Sequence, residues 1–230
     1  MPSSILITGG AGYIGSHTAV ELMNAGHAVV IVDNLCNSSI HVLDRLRRLC
    51  GERFRFVQAD VRDSAALDRI FAEHPISGVV HFAGLKAVGE SVAQPLRYFD
   101  NNVGSTLALL QAMERAHVRR IVFSSSATVY GDPETVPITE SSRLQVTNPY
   151  GRTKLMCEDI LRDQMAADPR WQVAILRYFN PVGAHESGLI GEHPNGIPNN
   201  LMPFITQVAV GKRPRSEEHT SELQSRQCIS

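Results

Sequence analysis

Two groups of residues in this sequence have types and spacings suited to chemistry. One is Thr8-Gly9-Gly10-Ala11-Gly12-Tyr13-Ile14-Gly15, a glycine-rich turn near the N-terminus. The other is Tyr150 and Lys154, four residues apart, with Ser126 upstream. A free phenol ionises near pH 10, and bringing it to about 7 takes roughly 4 kcal/mol of extra stabilisation of the phenolate. Helical residues i and i+4 share a face, so the Lys154 ammonium is placed to contribute. Such a phenolate takes a proton from a hydroxyl, and Ser126 can shuttle that proton or orient the same oxygen. A Tyr/Lys pair alone is usually an ordinary surface pair. The glycine turn and Ser126 give this one its meaning.

The turn lies between the apolar run Ile5-Leu6-Ile7 and a helix-period segment from Ile14 to Ala25, stopped by Gly26. In that setting Gly9 permits the sharp bend, Gly12 lets backbone approach a diphosphate, and Gly15 lets the helix pack close to the strand. Free amides at the helix start and the helix dipole favour phosphate. A purely structural β-turn is the competing interpretation, and the flanking elements argue against it. Asp33 closes the next apolar run, Ala28 to Val32, where an acid accepts hydrogen bonds from an adenosine ribose and repels a 2′-phosphate. NAD is therefore the expected cofactor, in preference to NADP, and its positive nicotinamide ring would also favour the phenolate. The alternative for Asp33 is a simple N-cap or loop aspartate. Asp60 can accept from the adenine amine or sit in a solvated turn, and spacing does not choose. Phe82-Ala83-Gly84 offers small residues where a cofactor must come close, while His81 reads as a core histidine. The histidines are scattered and no metal constellation emerges.

The elements that must position these residues alternate between strand and helix. Further strands are expected at Phe54 to Val57, Gly78 to Phe82, Arg120 to Ser124 and Val173 to Leu176. Helices are expected from His41 to Leu49, from a Ser64 cap to Phe71, from Asn102 to Ala116 and from Tyr150 to Met165. This order demands parallel strands with right-handed crossovers, and the continuous apolar strands fit a sheet covered on both faces. The fold class is α/β, a Rossmann-type doubly wound parallel sheet. Residues 1–180 form the NAD-binding domain with Ser126, Tyr150 and Lys154. Residues 181–214 begin a substrate-binding region with a short amphipathic helix near Phe204 to Val210.

With 230 residues, 43% hydrophobic and 20% charged, the chain has an ordinary globular composition. Its net charge of −1 and the absence of a basic run exclude nucleic acid as an expected partner. Cys36, Cys50, Cys157 and Cys228 lack metal or disulfide spacing and read as free thiols of a reducing compartment. No apolar run approaches the ~20 residues of a membrane span. A strand begins almost at once, without a signal-peptide pattern, so the cytoplasm is expected.

Several longer strings strengthen the reading: Asp33-Asn34-Leu35-Cys36-Asn37-Ser38, His81 to Ser91, Asp100-Asn101-Asn102-Val103, Ser124 to Gly131, Arg177 to His185 and Gly196 to Pro203. With Thr8 to His17, they resemble the extended short-chain dehydrogenase/reductases, and within them the NAD-dependent nucleotide-sugar epimerases. The resemblance runs from the N-terminus to about Arg213. It implies that Tyr150 is the base, Ser126 its partner and Lys154 the residue that lowers its pKa. Tyr13, Ile14, Asp33, Asn34, Leu35, Cys36, Asn37, Ser38, Asp60, Val61, Phe82, Ala83, Gly84, Leu85, Lys86, Asn101 and Phe179 would line NAD. Lys86, Asn180, Asn200 and Leu201, with Ser126 and Tyr150, would meet the UDP-sugar. The implied reaction of galactose metabolism interconverts UDP-glucose and UDP-galactose. It does so by oxidation at sugar C4, rotation of the 4-keto sugar and return of hydride to its other face. The resemblance also implies a homodimer through the helices near Asn102 to Ala116 and Tyr150 to Met165.

Two alternatives compete. A nucleotide-sugar 4,6-dehydratase would need a carboxylate after the fifth strand, where this chain has Ser126-Ala127-Thr128. A non-catalytic NAD-binding module would have no use for Ser126, Tyr150 and Lys154 together. Most of the family's smaller C-terminal substrate domain is expected to be missing here, leaving little or no turnover and exposed apolar surface. The segment 215–230 has no core-forming pattern, resembles a translated sequencing adapter, and is expected to be a disordered, non-native tail.

Overall fold

The computed structural model describes residues 3–194, 198 and 200–213. The tail expected over 215–230, with Cys228, lies outside the described residues. Six strands form one parallel sheet: β1 (Ser4–Thr8), β2 (Ala28–Asp33), β3 (Phe54–Gln58), β4 (Ile76–His81), β5 (Arg120–Ser126) and β6 (Gln172–Tyr178). Their spatial order is β3-β2-β1-β4-β5-β6. The chain winds outward from β1 to β3, then returns to β4 on the other side of β1. That reversal opens a crevice at the carboxyl ends of β1 and β4, where doubly wound sheets bind ligands. Thr8 and His81 are register partners at this point.

Helices α1 (Tyr13–Asn24) and α2 (His41–Cys50) cover one face. Leu43 and Leu46 of α2 pack there with Ala19 and Met23 of α1 on Ile7 and Ile31. On the other face lie α3 (Ser64–Glu73), α6 (Gly104–Arg115) and α7 (Pro149–Ala167). Leu67, Ile70, Leu109, Met113, Cys157 and Leu161 close over Leu6, Val30, Ile121 and Phe123. Two short helices, α4 (Val88–Ala93) and α5 (Pro95–Tyr98), precede a π-helical turn at Phe99–Val103, and α8 (Leu201–Ala209) ends the described chain. On β6, Val173 and Ile175 pack under α7, while Leu176 on the opposite face is exposed.

Several boundaries differ from the sequence expectation. Asp63, not Ser64, caps α3, its carboxylate accepting from the Ala66 amide at 3.0 Å. The helix expected from Asn102 starts at Gly104, because the π-helical turn places the buried Asn102 side chain inward. The fourth strand ends at His81, and α8 starts at Leu201, upstream of Phe204.

Candidate active site

The glycine turn joins β1 to α1. Gly9 has φ +69°, and a Cβ there would sit 2.7 Å from the Ala83 amide nitrogen. A Cβ on Gly15 would meet the Gly9 carbonyl oxygen at 2.3 Å. Gly15 therefore packs the helix against the turn itself, not against the strand as expected. Around Gly12 a Cβ would meet only the Gly9 oxygen, at 3.2 Å. Gly12 is the N-cap of α1, with no side-chain cap and no acid in the first turn. The first amides of α1 thus face the crevice without a side-chain partner, a geometry that fits a diphosphate.

At the end of β2 the Asp33 carboxylate is buried. Its Oδ2 accepts from the Ala11 amide (3.0 Å), and its Oδ1 from the Leu35 amide (2.9 Å) and the Ser38 hydroxyl (2.8 Å). Oδ2 keeps a free lone pair for a further donor such as a ribose hydroxyl. Leu35 adopts φ 60° in this tight turn, and the Cys36 thiol beside it is exposed. Asp60 is clamped by Arg62 through both carboxylate oxygens (3.0 and 2.9 Å) and takes a bond from Asn34 (3.2 Å), which holds its pKa at about 2. The same Arg62 reaches Asp100. Val61 is a core residue.

Across the crevice, Ser126 ends β5, and α7 presents Tyr150 and Lys154. Asn148 caps α7, its side-chain oxygen accepting from the Gly151 amide at 2.8 Å, with Pro149 in the first turn. Tyr150 is buried and its amide donates to Ser91 Oγ at 3.2 Å. Burial raises the Tyr150 pKa, and hydrogen bonding with Ser126 opposes that rise. Lys154 Nζ donates to the Ser124 carbonyl at 2.7 Å and lies 5.0 Å from the Phe123 ring and 5.9 Å from the Tyr150 ring. Its burial lowers its pKa to about 8. The lysine is thus near the phenol but directly bonded to backbone, and in the protein alone the phenol stays protonated. His81 is the core histidine expected. It bridges Thr8 (2.6 Å) and Thr106 (3.2 Å), and burial keeps it neutral, with a pKa near 3.

Asn102 and Glu192 were not singled out from sequence. The Asn102 amide group binds the Leu85 backbone through both its oxygen (2.8 Å) and its nitrogen (3.0 Å), and also reaches Thr153 of α7 at 3.0 Å. It pins the segment after β4 beside Lys154; its neighbour Asn101 is only partly buried. Glu192, with an 11% exposed side chain, accepts from Asn200 at 2.6 Å and pairs with Lys86 at 3.4 Å. Tyr13 donates to the Gly183 carbonyl at 2.7 Å, and its pKa is raised by burial and by the Glu192 charge. The structure therefore gathers Tyr13, Lys86 and Asn200 around one carboxylate. Phe179, Asn180 and Leu201 are exposed, Phe179 by 51%. Among the described residues no cluster of metal-ligand side chains occurs, and no helix is long and apolar enough to cross a membrane.

The chain as a whole is similar to known proteins. The chain is 63% identical over 212 residues to a UDP-glucose 4-epimerase of Neisseria meningitidis serogroup C, covering 92% of this chain and 62% of that protein. It is 63% identical over 209 residues to the UDP-glucose 4-epimerase of Bacillus subtilis strain 168, covering 91% and 62%. It superimposes with a TM-score of 0.90 on the Bifidobacterium longum UDP-glucose 4-epimerase solved with NAD+ and UDP, at 55% identity, covering 92% of this chain and 63% of that one. The chain thus spans just under two thirds of the length of these relatives. With a family match over residues 5–228, it belongs to the NAD dependent epimerase/dehydratase family.

Proposed function

We propose that this chain supplies the cofactor-binding and acid–base part of a UDP-glucose 4-epimerase. The first amides of α1 would hold the NAD diphosphate, and Asp33 Oδ2 would accept from its adenosine ribose. Oxidised nicotinamide, when bound, supplies a hydride acceptor and a positive charge beside Tyr150. The remaining chemistry belongs to the chain's own groups. Tyr150 Oη exchanges a proton with the sugar 4-hydroxyl. Ser126 bonds the same oxygen and works against the effect of burial on it. Lys154 contributes its charge from one helical turn away while anchored to Ser124. Lys86, Asn180, Asn200 and Leu201 form the near wall of the UDP-sugar site.

The observation that carries this reading is the meeting of the uncapped glycine turn and Ser126, Tyr150 and Lys154 across one crevice. The position after β5 favours epimerisation over 4,6-dehydration, since Ser126-Ala127-Thr128 contains no carboxylate. Titration of this chain with NAD tests cofactor binding. Incubation of a full-length protein carrying it with UDP-galactose tests the reaction, with UDP-glucose as the expected product. Bound NAD without product would favour the dinucleotide-binding module. We further assign the protein to the cytoplasm and to galactose metabolism, as a homodimer through the α6 and α7 region. Leu107 and Met156, exposed on those helices, support the dimer.

A further inference from the structure

Tyr150, Lys154 and Glu158 follow one another at four-residue spacing on α7 and so share a face. This face runs along the last three residues of β5. Lys154 bonds the Ser124 carbonyl, Glu158 accepts from the Ser125 hydroxyl at 2.5 Å, and the Ser126 side chain opposes the rise that burial imposes on the Tyr150 pKa. Tyr150 and Lys154 belong to the proposed acid–base site. Glu158 is a carboxylate with no solvent exposure. Arg177 of β6 binds both its oxygens, at 2.9 and 2.7 Å, and Arg162 adds a bond at 2.6 Å. With Ser125, its acceptor sites are saturated. Arg177 then donates to the Tyr130 hydroxyl at 2.8 Å and stacks on that ring at 4.9 Å. Tyr130 ends the turn Ala127–Val129, in which Thr128 donates to Ser126 Oγ from both its amide (3.2 Å) and its hydroxyl (3.0 Å).

Ser126 is therefore bracketed by one network. On one side stands its neighbour Ser125, tied to Glu158. On the other stands Thr128, in a turn tied through Tyr130 and Arg177 to the same carboxylate. The turn also touches α7 closely, since a Cβ on Gly151 would lie 2.9 Å from the Thr128 oxygen. A buried ion pair is a weak source of net stability but holds one geometry, because its alternatives leave an unpaired charge. We infer that Glu158 and Arg177 are positioning residues, which set the register of α7 against the end of β5 and hence the placement of the Ser126 hydroxyl on the Tyr150 phenol.

This inference rests on the acid–base reading of Tyr150 and Ser126. Its test uses a full-length protein carrying this chain. Ser125→Ala cuts the link between α7 and β5 while leaving Glu158 paired with Arg177, so it spares the fold. Glu158→Gln removes the charge itself and should lower kcat by at least as much as Ser125→Ala, and a parent-like kcat in it overturns the inference. Ile70→Val, in α3 and remote from the site, serves as a core variant that perturbs packing alone. The readouts are kcat and KM for UDP-galactose, single-turnover reduction of bound NAD at 340 nm, and NAD content. Small displacements of reacting groups cost large factors in rate. Ser125→Ala should lower kcat and the single-turnover rate about 10-fold, with KM and NAD content within twofold of the parent, and Ile70→Val should leave kcat unchanged. A parent-like kcat in Ser125→Ala overturns the inference, as does an equal loss in Ile70→Val. A parent that holds NAD but converts no UDP-galactose instead overturns the functional reading, and the inference with it.

Discussion

At the scale of single residues, two buried groups, the Tyr150 phenol and the Lys154 ammonium, face each other imperfectly. Lys154 keeps an ammonium in the interior, where desolvation lowers its pKa from 10.5 to about 8. The unfolded chain binds that proton more readily between those values, so this residue's destabilising contribution is complete below pH 8 and fades as pH rises through the window. The unfolding free energy of the parent should therefore climb relative to that of Lys154→Met between pH 8 and 9, as followed by urea denaturation at each pH. A constant difference would place the lysine in a more solvated setting. Glu192 carries a second expectation. Its carboxylate holds Lys86 and Asn200 where the proposed anionic substrate must arrive. Replacing it by glutamine removes a competing negative charge, so calorimetry on full-length protein should show UDP binding several-fold tighter, and weaker binding would contradict this. The sequence pointed to Ser126, Tyr150 and Lys154 because a helical pair at i and i+4 and a serine at the end of an apolar run stand out beside a glycine-rich turn. Glu192, Asn102 and Glu158 were not legible in it, because their partners stand far off in the chain: Asn102 meets Thr153, and Glu158 meets Ser125 and Arg177.

At the scale of elements, the glycine turn makes a graded prediction. An added methyl at Gly15 would sit 2.3 Å from a backbone oxygen, and one at Gly12 only 3.2 Å from the same atom. The first contact cannot be relieved without moving the turn; the second requires a few tenths of an ångström. Gly15→Ala should therefore abolish NAD binding and lower thermal stability, while Gly12→Ala weakens NAD binding with a smaller stability loss. Fluorescence titration with NADH and thermal melts check the ranking. The strands were readable because buried parallel strands are continuous apolar runs, and all six appear within a few residues of expectation. The misreadings have local causes. Asp63 and Ser64 are both good caps, and only the observed bond to Ala66 chooses between them. Val88–Ala93 and Pro95–Tyr98 are too short to show a helical period, and the π-helical turn at Phe99–Val103 breaks the period before α6.

At the scale of the whole molecule, the two sides of the sheet are not equally covered. Leu176 of β6 is 43% exposed, and Phe179, Val182 and Val210 are more so. Exposed apolar side chains in such number promote association. The 230-residue chain on its own should therefore self-associate, and Val182→Ser with Val210→Ser should reduce its light scattering; unchanged scattering would mean that other surfaces drive it. The most direct test of the central claim is Tyr150→Phe in a full-length protein carrying this chain, with conversion of UDP-galactose to UDP-glucose measured alongside bound NAD. Loss of a general base costs about 10²–10⁴ in rate. The expected result is a fall of that size with NAD still stoichiometrically bound, and conversion within a few-fold of the parent would contradict the role given to the phenol.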